Sequence, residues 1–234
     1  MKSGGCGDKI IPAPVTASQT ALPLAAFADT TYAVVDFETT GGAAGENRIL
    51  EIGCVVARGY EITERYTRLV NPHAPVHPYV WTLTGISPLA VEEAPPLDAV
   101  LDEFMSHLQD RPLFAHNAGF DSSVLDAELK RRGRPELRTA GRHPVNPWIC
   151  TVEWSKRLMP GLPKYKLALL CEELGIELAQ AHRGLDDALG AQAIVCELAR
   201  RAEAKDWDLF ALVEAFRRRE MTPRKIADLW GKSP

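Results

Sequence analysis

The chain has 234 residues, of which 46% are hydrophobic and 25% charged, so it carries enough apolar sequence for one ordinary domain core. This composition excludes collagen, coiled-coil and wholly disordered chains. The formal net charge of −4 at pH 7 provides no broad positive field, which argues against a protein that coats long nucleic acids.

The 5 cysteines are scattered and never form a C-x-x-C pair. This distribution argues against a disulfide framework and against a cysteine zinc site. The sequence contains no apolar run near the roughly 20 residues of a membrane-spanning helix, and we find no export signal. We therefore expect a cytoplasmic protein without a membrane partner.

Three segments differ in composition along the chain. Residues 1–29 mix Gly, Pro, Ser, Thr and Ala without any helical or alternating pattern, which predicts a flexible leader. Residues 30–203 are predicted to form the main folded domain. Residues 204–234 are predicted to form a C-terminal helical extension.

The first half of the folded domain has the patterns of strands. An apolar run over Tyr32–Val35 leads into a glycine turn, which is typical of a strand buried on both faces. Residues 48–57 and 61–70 flank a short turn and predict a hairpin. The proline-rich segment 71–96 is predicted to be an ordered loop with at most short helical turns.

The second half has mainly helical spacing. Apolar residues recur with a helical period over 97–109, and a short strand over 112–116 precedes a helix from about 120 to 133. A polar loop is predicted over 134–147. Further helices are predicted over 151–159, 166–174, 185–202 and 207–218, with a short one over 223–230. The expected fold is α/β, with a mixed central sheet that joins an antiparallel hairpin to parallel strands and is flanked by helices.

Four carboxylates are predicted to converge at one edge of this sheet. Asp36 and Glu38 are two residues apart on a strand, so they leave the same face near its C-terminal end. Asp121 begins a helix just after the next parallel strand. Asp187 lies on the inward stripe of the helix over 185–202, whereas Asp186 is rotated about 100° away and serves only as a favourable N-terminal charge.

Four carboxylates buried together would repel one another, and their pKa values would rise until some were protonated. Bound divalent cations offset this repulsion and allow the carboxylates to stay charged. Oxygen ligands without cysteine or clustered histidine favour Mg²⁺ or Mn²⁺. Two such ions ~3.5–4 Å apart can hold the attacking and the leaving oxygen of a phosphoryl displacement.

Three motifs carry a resemblance to a known family: D-F-E-T-T-G at 36–41, H-N-A-G-F-D at 116–121 and H-x4-D at 182–187. In order and spacing they resemble the DnaQ-like 3′–5′ exonucleases of DEDDh type, over residues 30–202. The resemblance implies a ribonuclease H-like fold and hydrolysis of nucleic acid from the 3′ end to nucleoside monophosphates. It is nearest to the proofreading exonucleases of bacterial DNA polymerase III.

The resemblance also assigns roles to residues. It implies that two Mg²⁺ or Mn²⁺ ions are held by Asp36, Glu38, Asp121 and Asp187, which with His182 form the catalytic set. His182 matches the general base, and histidine is the side chain whose ordinary pKa, about 6.5, suits proton abstraction around neutrality. On a continuous helix His182 and Asp187 would lie about 140° apart, so His182 is predicted to occupy a loop before the helix. Residues implied to contact the terminal nucleotide are Thr39, Thr40, Gly41, Asn117 and Phe120.

The substrate and the partners leave alternatives open. We expect single-stranded or frayed DNA ends, in proofreading or repair; an RNA 3′-trimming enzyme of the same fold is one alternative. A non-catalytic module that recruits a polymerase or a clamp is another. The peptide Gln19–Leu24 resembles the glutamine-led peptides that bind bacterial sliding clamps, a degenerate pattern. Thr84-Gly85-Ile86 departs from the His-Gly-Ile of many relatives.

Overall fold

The computed structural model describes residues 26–41, 46–137 and 147–218, with the single positions 220, 222, 224, 225 and 228. A five-stranded sheet has the order β3-β2-β1-β4-β5. Its strands are β1 Thr31–Thr39, β2 Ile49–Arg58, β3 Glu61–Leu69, β4 Leu113–Ala115 and β5 Trp148–Cys150. The first three strands pair antiparallel, whereas β4 and β5 run parallel to β1, so the predicted mixed sheet is confirmed.

Eight α-helices in the described residues flank the sheet, and a 3₁₀ turn over Phe27–Asp29 precedes β1. The helices are α1 Pro78–Thr84, α2 Pro88–Glu93, α3 Leu97–Leu108, α4 Ala118–Arg131, α5 Thr151–Leu158, α6 Leu167–Glu173, α7 Gly184–Glu203 and α8 Leu209–Arg217. None of the helices in this part of the chain is long and apolar enough to span a membrane.

The side chains of β1 alternate between two apolar clusters, because successive residues of a strand point to opposite faces of the sheet. Tyr32 and Val34 pack on the face covered by α7, together with Ile194. Val35 and Phe37 pack on the other face, against Phe104 of α3. The central strand is therefore buried on both sides, as its apolar run predicts.

The structure adds elements at places where the sequence carries little periodicity. The loop expected over 71–96 contains the two short helices α1 and α2, of 7 and 6 residues. The short strand β5 has 3 residues and is followed at once by α5, so its alternating pattern is too short to recognise.

The segments outside the main domain contribute to its core where the structure describes them. Residues 1–25, most of the expected leader, lie outside the described residues. Phe27 is fully buried and contacts Phe210 of α8, with ring centroids 5.7 Å apart. α8 thus packs on the α7 side of the sheet.

A close crossing of two glycines joins the sheet to α7. A Cβ atom on Gly53 of β2 would lie 2.0 Å from the backbone carbon and oxygen of Gly184. A Cβ atom on Gly184 would lie 2.9 Å from the Gly53 nitrogen and 3.3 Å from the Asp36 carbonyl oxygen. Only residues without a side chain allow the first turn of α7 to approach β1 and β2 so closely.

Candidate active site

The structure brings the acids of the first two motifs together. Asp36 and Glu38 lie on β1, and Asp121 lies in the first turn of α4. The Phe37 backbone N–H, between the two β1 acids, donates to Asp121 Oδ1 at 3.2 Å. Parallel pairing of β1 with β4 places the start of α4 at the C-terminal end of β1, which explains this contact.

Asp187 and His182 come from the start of α7 and the turn before it. Asp187 is buried in the first turn of this helix, and His182 precedes it with a left-handed φ of 63°. The His182 N–H donates to Asp187 Oδ2 at 3.1 Å. Ligand atoms of Glu38, His182 and Asp187 all lie within 4.8 Å of one another, which joins the third motif to the first.

Each of the four acids has a raised pKa, chiefly because burial penalises the charged form. Burial and the charges of Asp121, Asp187 and Glu38 raise the pKa of Asp36 well above its usual range. Burial raises the pKa of Asp121 to about 8. Burial, with the Asp187 charge second, raises the pKa of Glu38 to about 7. Burial raises the pKa of Asp187 to about 6.

These residues fit a pair of hard divalent cations. The donors are carboxylate oxygens, and Asp187 Oδ1 is buried without a hydrogen-bond partner in the described part of the chain. Mutual repulsion among carboxylates is relieved when cations bind them. Oxygen donors suit Mg²⁺ and Mn²⁺ better than softer metals. The chemistry of these donors therefore fits a hard divalent cation.

The residues expected to contact substrate lie in the chain segments that carry Glu38 and Asp121. Thr39 ends β1, and the following Thr40 carbonyl accepts the His77 N–H at 2.9 Å, which ties the turn to α1. Gly41 has a φ of 68°, and a Cβ there would lie 2.9 Å from Val80. At the start of α4, Asn117 has a left-handed φ of 70°, whereas the Phe120 side chain is 38% exposed.

Two neighbours of the acids, Glu51 and Arg183, were not predicted from the sequence. Glu51 is directly opposite Glu38 in the β1–β2 pairing, and its side chain is only 2% exposed. Arg183 forms two hydrogen bonds with its carboxylate. The sequence does contain one signal for this pair, a glutamate inside the apolar run 49–57. Because an unpaired buried carboxylate is costly, such a glutamate indicates a partner with a positive charge.

Two residues to which the motifs assign no catalytic role, His116 and Thr84, have hydrogen-bond partners in the structure. His116 bridges three segments: its Nδ1 lies 2.9 Å from Thr151 Oγ1 and its Nε2 lies 2.9 Å from the Tyr165 carbonyl. Thr84, where many relatives have histidine, is buried and donates to the Val80 carbonyl at 2.9 Å. Both side chains therefore fix the backbone around the site.

Comparisons with known proteins agree with this geometry. The family model described as "Exonuclease" matches residues 33–195. PolC-type DNA polymerase III of Halalkalibacterium halodurans is 32% identical over 193 residues, which is 82% of this chain and 13% of that polymerase. The 3′-5′ exonuclease DinG of Bacillus subtilis is 34% identical over 160 residues, 67% of this chain and 16% of that protein. The chain thus spans a small part of these relatives.

A solved structure titled exonuclease X in complex with 5′ overhanging duplex DNA has the same fold, with a TM-score of 0.57 and 23% identity. The match covers 86% of this chain and 99% of that one. The fold is therefore ribonuclease H-like, as expected. The family model covers more than half of the chain, and PolC-type DNA polymerase III is more than 30% identical over more than two thirds of it. The chain therefore belongs to the exonuclease family, which confirms the predicted resemblance to DnaQ-like exonucleases.

Proposed function

We propose that the protein is a metal-dependent 3′–5′ exonuclease that hydrolyses single-stranded or frayed DNA ends to nucleoside monophosphates, in proofreading or repair. One observation carries this proposal. Acids from β1, α4 and α7 converge beside His182 at the C-terminal end of the central strand. The similarity to PolC-type polymerases and to DinG supports DNA as the substrate and the 3′–5′ direction.

In this proposal Asp36, Glu38, Asp121 and Asp187 hold two Mg²⁺ or Mn²⁺ ions. When bound, such cations lower the pKa of water and stabilise negative charge on the leaving 3′ oxygen. His182, on the turn beside Glu38, accepts the proton of the attacking water at its imidazole. The turn Thr39–Gly41 and the exposed ring of Phe120 position the terminal nucleotide, the ring by stacking on its base.

The test compares two neighbouring acids of α7. Asp187→Asn should lower the rate of nucleotide release by ~100-fold or more, because a direct ligand is lost. Asp186→Asn makes the same chemical change at the adjacent residue, and it should retain activity within ~3-fold because Asp186 is rotated about 100° away from Asp187 on the helix. The assay uses end-labelled DNA and RNA oligonucleotides of one sequence, with Mg²⁺, with Mn²⁺ or with EDTA.

The outcomes separate the alternatives. Cation-dependent shortening of DNA from its 3′ end supports the proposal, and equal activity of Asp187→Asn and the wild type would contradict the site. Preferential degradation of RNA would instead identify an RNA-trimming enzyme. Absence of mononucleotide release with either cation would leave the non-catalytic recruiting module.

A polymerase or clamp partner is also part of the proposal, through Gln19–Leu24, which lies outside the described residues. Binding of a peptide of residues 15–28 to a purified sliding clamp tests it, and a peptide with Gln19 and Leu24 changed to alanine is the control. We further propose a cytoplasmic location. The four cysteines in the described residues are free thiols, three of them buried, which suits a reducing compartment.

A further inference from the structure

The Glu51 carboxylate makes three hydrogen bonds at the start of α7. Arg183 donates from Nη2 to Oε1 at 2.7 Å and from Nε to Oε2 at 3.1 Å. The Gly184 backbone N–H donates to Oε2 at 2.8 Å. A bidentate guanidinium–carboxylate pair fixes orientation as well as distance, so both side chains are held in one geometry.

The third of these bonds makes Glu51 the cap of α7. Arg183 is the residue before the first helical position, and it makes no capping bond of its own to the helix. The first N–H groups of a helix lack intrahelical acceptors. Glu51 supplies one of these acceptors from the neighbouring strand, and its negative charge also lies at the favourable end of the helix dipole.

The same contacts determine where His182 lies. Arg183 follows His182 directly and is held by Glu51, while the His182 N–H is held by Asp187 at 3.1 Å. The turn is therefore attached to the protein on both sides of the imidazole-bearing residue. The start of α7 therefore contacts β2 in two ways. The backbones of Gly184 and Gly53 lie close together, and the Glu51 side chain binds Arg183 and Gly184.

The negative charge of the neighbouring acids also favours the contact between Arg183 and Glu51. Glu51 is opposite Glu38 and faces the other acids, so without Arg183 it would be a fifth uncompensated carboxylate there. The Arg183 side chain is 33% exposed, yet its Nε and Nη2 donors are directed to Glu51. This arrangement suits a fixed support better than a mobile phosphate-binding side chain.

We propose that the Glu51–Arg183 pair is a positioning device that holds the His182 turn over the carboxylates and that acts on catalysis through His182. This inference rests on the proposed function of His182 as the general base. Arg183 is thus a positioning residue. Its removal should affect turnover more than substrate binding, because the bound substrate contacts other segments.

The test is a double-mutant cycle on single-stranded DNA cleavage with Mg²⁺. Arg183→Ala should lower kcat by ~10–100-fold, the usual cost of losing a supporting contact, with KM changed by less than ~3-fold. In a His182→Ala background the same change should lower kcat by less than ~3-fold, because the residue through which it acts is absent. Arg183→Lys should be intermediate, since lysine cannot form the bidentate pair.

Arg201→Ala is the matched control, because it removes another arginine–glutamate pair of α7, with Glu197, at the far end of the helix. It should leave kcat unchanged. Amide hydrogen exchange supplies a readout that is independent of activity. The peptide over residues 180–187 should exchange faster in Arg183→Ala and Glu51→Gln, and at the wild-type rate in Arg201→Ala.

Equal effects of Arg183→Ala in both backgrounds would overturn the inference, because the residue would then act independently of His182. Unchanged exchange over 180–187 would also overturn it. If Arg183→Ala fails to fold, the Arg183→Lys and Glu51→Gln variants answer the same questions. A His182→Ala variant with wild-type kcat would instead refute the proposed base, and the exchange measurement would still decide whether the pair holds the turn.

Discussion

Burial disfavours the charged form of each acid of the site, and the hydrogen-bond partners that offset this cost differ from residue to residue. Asp121 accepts a hydrogen bond from the Phe37 backbone N–H. Asp187 accepts one from the His182 backbone N–H through Oδ2, whereas its Oδ1 has no partner among the described residues. Glu51, by contrast, is fully compensated by Arg183. The four motif acids therefore differ from Glu51 in that none of them forms an ion pair with lysine or arginine within the described residues.

The raised pKa values predict how the cation-free protein responds to pH. A group whose pKa is higher in the folded state contributes stability that is lost as pH rises from its unfolded value through its folded value. For Asp121 this window runs from the ordinary pKa of 3.8 to about 8. In EDTA, Asp121→Asn should therefore gain Tm relative to the wild type as pH increases across this window.

Scanning calorimetry of both proteins at several pH values checks this expectation. The control is the same series with saturating Mg²⁺, which should reduce the difference because bound cations compensate Asp121 in the wild type. If the Tm difference between Asp121→Asn and the wild type stayed constant with pH in EDTA, this would contradict a raised pKa of Asp121.

The sequence predicted the motif acids because each lies at a recognisable place, such as a strand end or a first helical turn. It did not predict Glu51 and Arg183, because a side-chain pair between β2 and α7 depends on tertiary packing. Two arginines at the end of α4 also have an acidic partner. Arg131 and Arg132 pair with the buried Glu128, so the fold uses these two charges internally.

At the scale of elements, the crossing between β2 and α7 decides where the third motif lies. The sequence gives the length of α7 well, since its apolar stripe is long, and the predicted 185–202 compares with Gly184–Glu203 in the structure. It cannot give the distance between the helix and the sheet. That distance depends on two glycines from distant parts of the chain, Gly53 and Gly184.

Gly53→Ala should therefore separate α7 from the sheet. The added Cβ would meet the Gly184 backbone at 2.0 Å, which no side-chain movement can relieve. We expect a loss of about 1–3 kcal/mol or more in the free energy of unfolding, together with loss of nuclease activity. Urea unfolding and the DNA assay measure the two effects.

Gly119→Ala is the matched control for this glycine. It lies in α4, and a Cβ there meets nothing within 4 Å. It should stabilise the protein by about 0.4–1 kcal/mol through the unfolded state. Equal stability of Gly53→Ala and the wild type would show that the crossing is looser than the structure indicates.

At the scale of the whole molecule, the two ends of the described chain meet on one face of the sheet. Phe27 and Phe210 are both fully buried. Phe27 packs on Tyr32, and Phe210 packs on Tyr32 and Phe114. Composition alone marked these segments as a leader and an extension. Aromatic contacts between residues so far apart in sequence cannot be deduced from local patterns.

Phe210→Ala should cost about 3–5 kcal/mol in the free energy of unfolding, as large-to-small changes in a packed core do. Leu89→Ala is the control, because Leu89 is 62% exposed on α2 and should change stability by less than ~0.5 kcal/mol. Chemical denaturation with one fluorescence probe compares them. Equal values for the two variants would mean that α8 contributes little to the core.

The central position of β1 has a consequence for how activity would be lost. β1 pairs with β2 on one side and β4 on the other, and it carries Asp36 and Glu38 between them. Strands buried in this way open only with the whole fold, unlike loops and edges. Heat or denaturant should therefore abolish hydrolysis in the same cooperative transition that melts the sheet, so residual cleavage measures the fraction of folded molecules.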